Sequence, residues 1–467
     1  MSNKHKHIAF LCGHFKRDKA VDFIQLEKAG WQRIAYTEDK RKKASQFYYP
    51  DFVGFCYAES MEDGCVKYSL QVDNTLSTLI GGKKGQERIL PPFLIKEIVL
   101  YFMPQQMVLY SIQIEQEVKE FDDCSHLMFA LRLADGFNWI TRSTFRPVAI
   151  DPIVEVYNSV KVEGLQGDYS RLVENGNKLR LFQIIHAADG SLTDEYEKRR
   201  QLYRLATFVP AASSSDYKEG SLFDEYQRKE IERNCVAVFP DWVALAMLDT
   251  FTILASNSEG ETDNWVERYF GMIYIHAMFQ KTCLFDFNNR FKQVLNDYSK
   301  RESALSNKGC GSNKSVSLLE KMIAGFKRIF IDDSRKEITS LVSEYEEFER
   351  RCCFNKISYN FLPLLLDEAI SNSLEIEDEM KQLYRVMDKE RKRNGEASRR
   401  KMNTLLIFIS FLTIFSAIWG ACSMLNAMFC FTAHFGSSFM GFRWVGGGIS
   451  LVVIIVLAFL YLRKRKF

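Results

Sequence analysis

The sequence predicts an α+β chain with a membrane part: an N-terminal α/β cytoplasmic domain, a helical region with a long stalk helix, and two C-terminal transmembrane helices. Three observations carry this. Residues 404–442 hold no Lys, Arg, Asp or Glu, and after Arg443 the run 444–462 is uncharged again. The first 240 residues alternate short apolar runs with amphipathic ones, whereas later segments show longer helical spacings. Residues 364–401 then contain no proline, as a long rod requires. The implied divisions are 1–240, 241–362, 363–403 and 404–467.

In the first division, Ile8 to Cys12 is a short apolar run suited to a buried strand. Asp18 to Gly30 reads as a helix with Val21, Ile24 and Leu26 near one face and Gly30 as its stop. Val66 to Val72 and Met107 to Glu115 alternate like strands, and Ile95 to Phe102, Leu179 to His186 and Cys235 to Phe239 are further strands. Gly81, Gly82, Lys83, Lys84 and Gly85 form a basic glycine loop. Its spacing is not that of a phosphate-binding loop and no Ser or Thr follows the lysines, so it reads as a hairpin tip. Pro210 to Gly220 is a surface loop.

After that loop the pattern turns helical. Asp241 to Leu254 is apolar and is taken with the helices, and Trp265 to Asn296 is a long aromatic-rich helix. Ser303 to Ser315, rich in Ser, Asn and Gly, is a linker, and Ser317 to Cys353 is helical again. Pro363 opens the stalk, where proline is tolerated in a first turn. Ile376, Met380, Leu383 and Met387 step by helical spacings, so the stalk carries a packing stripe to bury against copies of itself or preceding helices. Continued into the first span, it is a rod of roughly 87 Å.

Its charge is segregated. Asp367, Glu368, Glu375, Glu377, Asp378 and Glu379 have no base among them, while Lys381 to Lys401 holds nine basic residues against Asp388, Glu390 and Glu396. In an oligomer such charges stack as rings, with Arg399, Arg400 and Lys401 at the cytoplasmic mouth; against a single chain they meet anionic headgroups.

The two uncharged runs match the ~20 apolar residues that cross a bilayer core. Spans at about 404–422 and 444–462, with Arg399 to Lys401 before the first and Arg463 to Lys466 after the second, place both termini in the cytoplasm of a multi-pass inner-membrane protein. In the first span Ser410, Thr413, Ala417, Gly420 and Ala421 share one face. With Met402 and Leu406, the latter two forming an apolar constriction, they are the expected pore-lining residues. The Ser and Thr hydroxyls have a second reading, bonding to their own helix backbone.

Composition excludes other classes. Lys plus Arg is 62 and Asp plus Glu 59, so bulk electrostatics gives no case for binding a nucleic-acid polymer. The eleven cysteines include no C-x-x-C pair, and none of His14, His126, His186, His276 and His434 has a ligand-spaced partner. G-x-S-x-G and H-E-x-x-H are absent, so neither a catalytic residue nor a metal site is expected.

This organisation resembles the CorA family of divalent-cation transporters: a cytoplasmic α/β domain, a long stalk, two C-terminal spans and a basic tail. Family members end the first span with Tyr-Gly-Met-Asn, the Gly-Met-Asn being the filter for hydrated cations. The matching place here reads Trp419, Gly420, Ala421, Cys422, followed by Asn426. The aromatic and the glycine are kept and the Met and Asn are not; between Leu425 and Arg443 there is also no acid to attract cations. In this the chain is similar to the divergent CorA-like proteins associated with type III CRISPR systems, which lack the motif. The resemblance implies a homopentameric channel or effector in a lipid bilayer, gated through its body by a small anionic nucleotide messenger in antiviral defence. The alternatives are a divalent-cation (Mg, Zn or Co) transporter, with the cation as permeant or regulatory ion, and a membrane-tethered scaffold. The gating-ligand site is not assigned by any residue pattern.

Overall fold

In the computed structural model the described residues are 4–77, 79–80, 88–89, 91–132, 141–162, 179–188, 194–208, 222–256, 262–307, 333–389 and 392, together with 403, 406, 407, 409, 410, 413, 414, 416–418 and 420. The chain forms two compact units, Met1–Ser312 with Lys336–Arg385, and Asn313–Arg335 with Val386–Phe467.

A nine-stranded mixed sheet organises the first unit. The first half of its elements are β1 (His5–Lys16), α1 (Phe23–Lys28), β2 (Gln32–Arg33), α2 (Glu38–Ser45), α3 (Pro50–Cys56), β3 (Val66–Leu76), β4 (Leu79–Ile80), β5 (Arg88–Ile89), β6 (Phe93–Phe102), β7 (Met107–Val118) and α4 (Phe121–Arg132). A π-helix π1 (Thr141–Ile150), α5 (Asp151–Val160), β8 (Arg180–Ala187), α6 (Glu195–Thr207) and α7 (Leu222–Asn234) follow. Then come β9 (Cys235–Phe239), β10 (Trp242–Ala246), β11 (Thr250–Ser256), a one-turn α8 (Thr262–Asn264), a second π-helix π2 (Trp265–Tyr274) and α9 (Ile275–Asn307). Beyond them lie α10 (Asp333–Cys352) and α11 (Phe361–Ser373).

The large sheet has the order β2-β3-β6-β7-β1-β8-β11-β10-β9, and β4 pairs only with β5. Every neighbouring pair is antiparallel except β8 with β11. Such a sheet needs no helical crossover between most of its strands, so the domain is α+β. The predicted α/β class is therefore corrected. The sheet also runs to Ser256, because residues 242–256 fold as the hairpin β10–β11 instead of a helix. Val243, Thr250, Thr252 and Ile253 are β-branched, and Met247 and Thr250 close the turn by exchanging backbone bonds at 2.7 and 3.3 Å. A continuous apolar run does not distinguish strand from buried helix by periodicity.

Other expectations match the structure more closely. The helix expected over 18–30 is the short α1, capped by Asp22, whose side chain accepts from the Ile24 and Gln25 amides at 3.1 Å. Gly30 follows with φ +95°, which glycine adopts freely. The basic glycine loop lies outside the described residues; before and after it in the chain, Leu79 pairs with Ile89 and Ile80 with Arg88.

Both faces of the sheet are covered. Paired strand residues share a face, and on the first face His5 stacks on Phe121 of α4 at 4.0 Å and Gln183 donates to the Leu205 carbonyl of α6. Phe15 meets Tyr157 of α5 on that side. On the second face Phe10 and Phe182 pack on Phe270 of π2 at 4.0 and 5.1 Å. The strands are therefore apolar on both sides, with Leu11, Leu100, Ile112, Leu181 and Ile184 fully buried.

The stalk also differs. Residues 361–373 and 376–389 are helical, but Leu374 and Glu375 form a turn and Glu375 has φ +55°. A non-glycine residue in that conformation ends the first helix, so no continuous rod runs from Pro363. Ile376 and Leu383 are 3% and 2% exposed, so the stripe is buried by the same chain and does not itself call for copies. Among the described residues no helix is long and apolar enough to cross a membrane. The expected pair of transmembrane helices is corrected accordingly: neither is found among the described residues. The expected second span, 444–462, and the basic tail lie outside the described residues.

Candidate functional site

The second face of the sheet, under π2 and α9, holds a buried lysine, Lys67. Lys67 on β3 lies there because strand alternation turns it away from its neighbours Val66 and Tyr68, which join the first-face core. The start of β3 is fixed by the close approach of Gly64 to α3. A Cβ at Gly64 would stand 2.2 Å from the Phe55 carbonyl oxygen, to which Cys65 donates at 2.8 Å.

The ammonium of Lys67 is 5.3 Å from the ring centroid of Tyr36 and 5.6 Å from those of Tyr57 and Tyr101. It donates to the carbonyl of Gly271 in π2 at 3.0 Å. Tyr101 shares a hydrogen bond of 3.2 Å with Ser111 on β7, and Tyr57 donates to the sulfur of Met272 at 3.5 Å. Burial pulls the Lys67 ammonium down, the thiols of Cys65 and Cys56 and the hydroxyls of Tyr101 and Tyr57 hold it up, and the net direction is upward. Burial pushes the thiol of Cys65 up to about 11, and raises Cys56, Tyr57 and Tyr101 further. The site is thus a charged amine among neutral thiols and phenols. Burial thus raises the thiols and phenols around the Lys67 ammonium, and the bond it donates to Gly271 ties β3 to π2.

Downstream, α9 is tied to three elements by charge. Asp286 receives Lys16 of β1 at 2.7 Å and Arg290 at 3.5 Å, and Arg290 also grips Glu344 of α10 with two bonds of 2.7 and 2.6 Å. Lys281 meets Glu379, in the helical residues after α11, at 2.7 Å. His276 donates from Nε2 to the Cys352 carbonyl at 2.9 Å, edge-on to Phe52 and Phe55. Burial holds His276 down at about 4, against the bond to Cys352.

The first face carries a second polar cluster. Gln116 donates to His7 Nδ1 at 2.7 Å, His7 Nε2 donates to Gln183 at 3.0 Å, and Gln183 donates to Thr252 at 2.9 Å. These four residues come from β7, β1, β8 and β11, a buried row across the middle of the sheet. Among the described residues no group of three or more His, Cys, Asp or Glu could hold a metal.

Of the expected pore-lining residues, Leu406, Ser410, Thr413, Ala417 and Gly420 are helical and exposed. Their positions on a helix fall within one narrow face, with Ile407, Ile414 and Ile418 on one flank and Ile409 on the other. Ser410 and Thr413 turn their hydroxyls onto the carbonyls of Leu406 and Ile409 at 2.8 and 3.1 Å, the backbone-bonded alternative for such side chains. Met402, Ala421, Arg399, Arg400 and Lys401 lie outside the described residues.

Sequence reasoning missed Lys67, His7 and Gln183. The one signal for Lys67 was its place in a strand-like alternation where a solvent-facing lysine is the ordinary reading. No family model, curated protein or solved structure matches this chain.

Proposed function

We propose that this chain is a homo-oligomeric, channel-type effector that acts at a lipid bilayer, with the nine-stranded body as its control element. The observation that carries the reading is the surface of the described helical residues between 403 and 420. Leu406, Ile407, Ile409, Ile414 and Ile418 are 54, 43, 46, 55 and 42% exposed, on more than one side of the same helical stretch. A helix apolar on several sides is stable only against lipid or other protein. The resemblance to the CorA-like effectors supports a small anionic nucleotide messenger as the ligand of the body.

Flotation of the full-length protein with lipid vesicles through a density gradient tests the membrane part. The protein is expected in the lipid fraction after an alkaline wash, and recovery in the aqueous fraction would overturn the reading. The mass of the detergent-solubilised protein tests assembly, and a monomer removes the channel.

A further inference from the structure

We propose that Lys67 is a latch that holds π2 in its wide register, and that releasing it shifts α9 along and about its own axis. The proposal stands on geometry within the first unit. That the shift serves as a gate rests on the membrane reading above.

Ten consecutive residues, Trp265–Tyr274, form π2, and α9 continues from it without a break. π-helices are rare and mostly single-turn bulges, because they trade good packing along the axis for an extra residue. A stretch this long needs contacts that favour it over the α form. The structure supplies two, both near its end. The Lys67 ammonium takes the Gly271 carbonyl from below, inside the ring of Tyr36, Tyr57 and Tyr101. Tyr57 bonds the next residue, Met272. At Gly271 a Cβ would lie a tight 3.2 Å from the Val266 carbonyl of the same helix and in ordinary contact, 3.9 Å, with Lys67 Nζ.

Resolving one π-bulge into α-helix moves every downstream residue by about one position, or about 1.5 Å and about 100°. Such a turn carries Lys281 from Glu379, Asp286 from Lys16 and Arg290 from Glu344. It also rolls Cys283, 1% exposed in the present register, out of the core. On this proposal the shift is between discrete registers, since interlocked packing allows one or another and little between.

Thiol labelling of the full-length protein tests the latch, because Cys283 on α9 and Cys12 on β1 are both buried at 1% and both native. In Lys67→Met the apolar stem is kept and the ammonium is lost. Cys283 is expected to react roughly tenfold faster or more than in the unaltered protein, as local opening predicts, with Cys12 unchanged. Gly271→Ala attacks the same register from the other side and is expected to give the same selective labelling. Tyr57→Phe, which removes only the bond to Met272, is expected to give a smaller increase. Equal acceleration at Cys283 and Cys12 would show general loosening and overturn the proposal, as would no acceleration at Cys283 in both Lys67→Met and Gly271→Ala. Neither result bears on vesicle flotation, so the latch and the membrane reading fail separately.

Discussion

Replacing His7 by Gln should remove a defined part of the protein's sensitivity to acid. His7 is fully buried, and its two nitrogens have fixed roles: Nδ1 accepts from Gln116 and Nε2 donates to Gln183. The Gln183 amide cannot turn over to help, because its nitrogen already donates to Leu205 and Thr252. A proton on Nδ1 would require the Gln116 amide to turn over and present its oxygen. Burial, opposed by the bond to Gln183, lowers the His7 pKa from 6.5 to about 4. The folded state therefore refuses a proton that the unfolded chain accepts below 6.5. This contribution is intact above about pH 6.5 and is lost as pH falls toward 4, where it amounts to about 3 kcal/mol. Urea unfolding of His7→Gln and the unaltered protein at pH 7.5 and pH 4 measures it, since glutamine keeps a donor and an acceptor but does not titrate. The unaltered protein should lose about 3 kcal/mol more than the variant over that interval. Parallel losses would refute the assignment of a neutral, network-bound His7.

Other outcomes follow from the same structure. Asp367 has its carboxyl raised to about 7 by burial and by Glu368, the opposite sign of linkage: its contribution grows as pH falls from about 7 toward 3.8. Asp367→Asn should be more stable than the unaltered protein at pH 8, with that gain on acidification gone, as thermal unfolding at the two pH values will show. Lys281→Ala removes the partner of the half-buried Glu379 and should cost about 1–3 kcal/mol, while Lys281→Met with Glu379→Leu should cost clearly less in the same denaturation assay. Gly64→Ala forces a methyl onto the Phe55 backbone and should destabilise by about 2 kcal/mol or more, read as a shift in the urea midpoint at unchanged slope.

The sheet's centre was legible because β1, β3, β6, β7 and β8 are bounded runs of β-branched and aromatic residues. The hairpin β10–β11 was not, since Trp242 to Ala246 is buried throughout and has no alternation to read. The end of α11 at Leu374 and Glu375 carries no Gly or Pro, so the sequence there looks like uninterrupted helix. The polar row of His7 and Gln183, 176 residues apart, exists only through strand order, and no spacing rule reaches across that distance. Lys67 hides for a related reason. Its cage is assembled from Tyr36, Tyr57 and Tyr101, on three different segments.

Ion flux through vesicles holding the full-length protein tests the central claim most directly. Vesicles loaded with a fluorescent cation indicator are expected to stay tight until nucleotide second messengers reach the body, and then to leak. Tight vesicles under every messenger, with the protein verified in the bilayer, would contradict the account, as would constitutive flux without any.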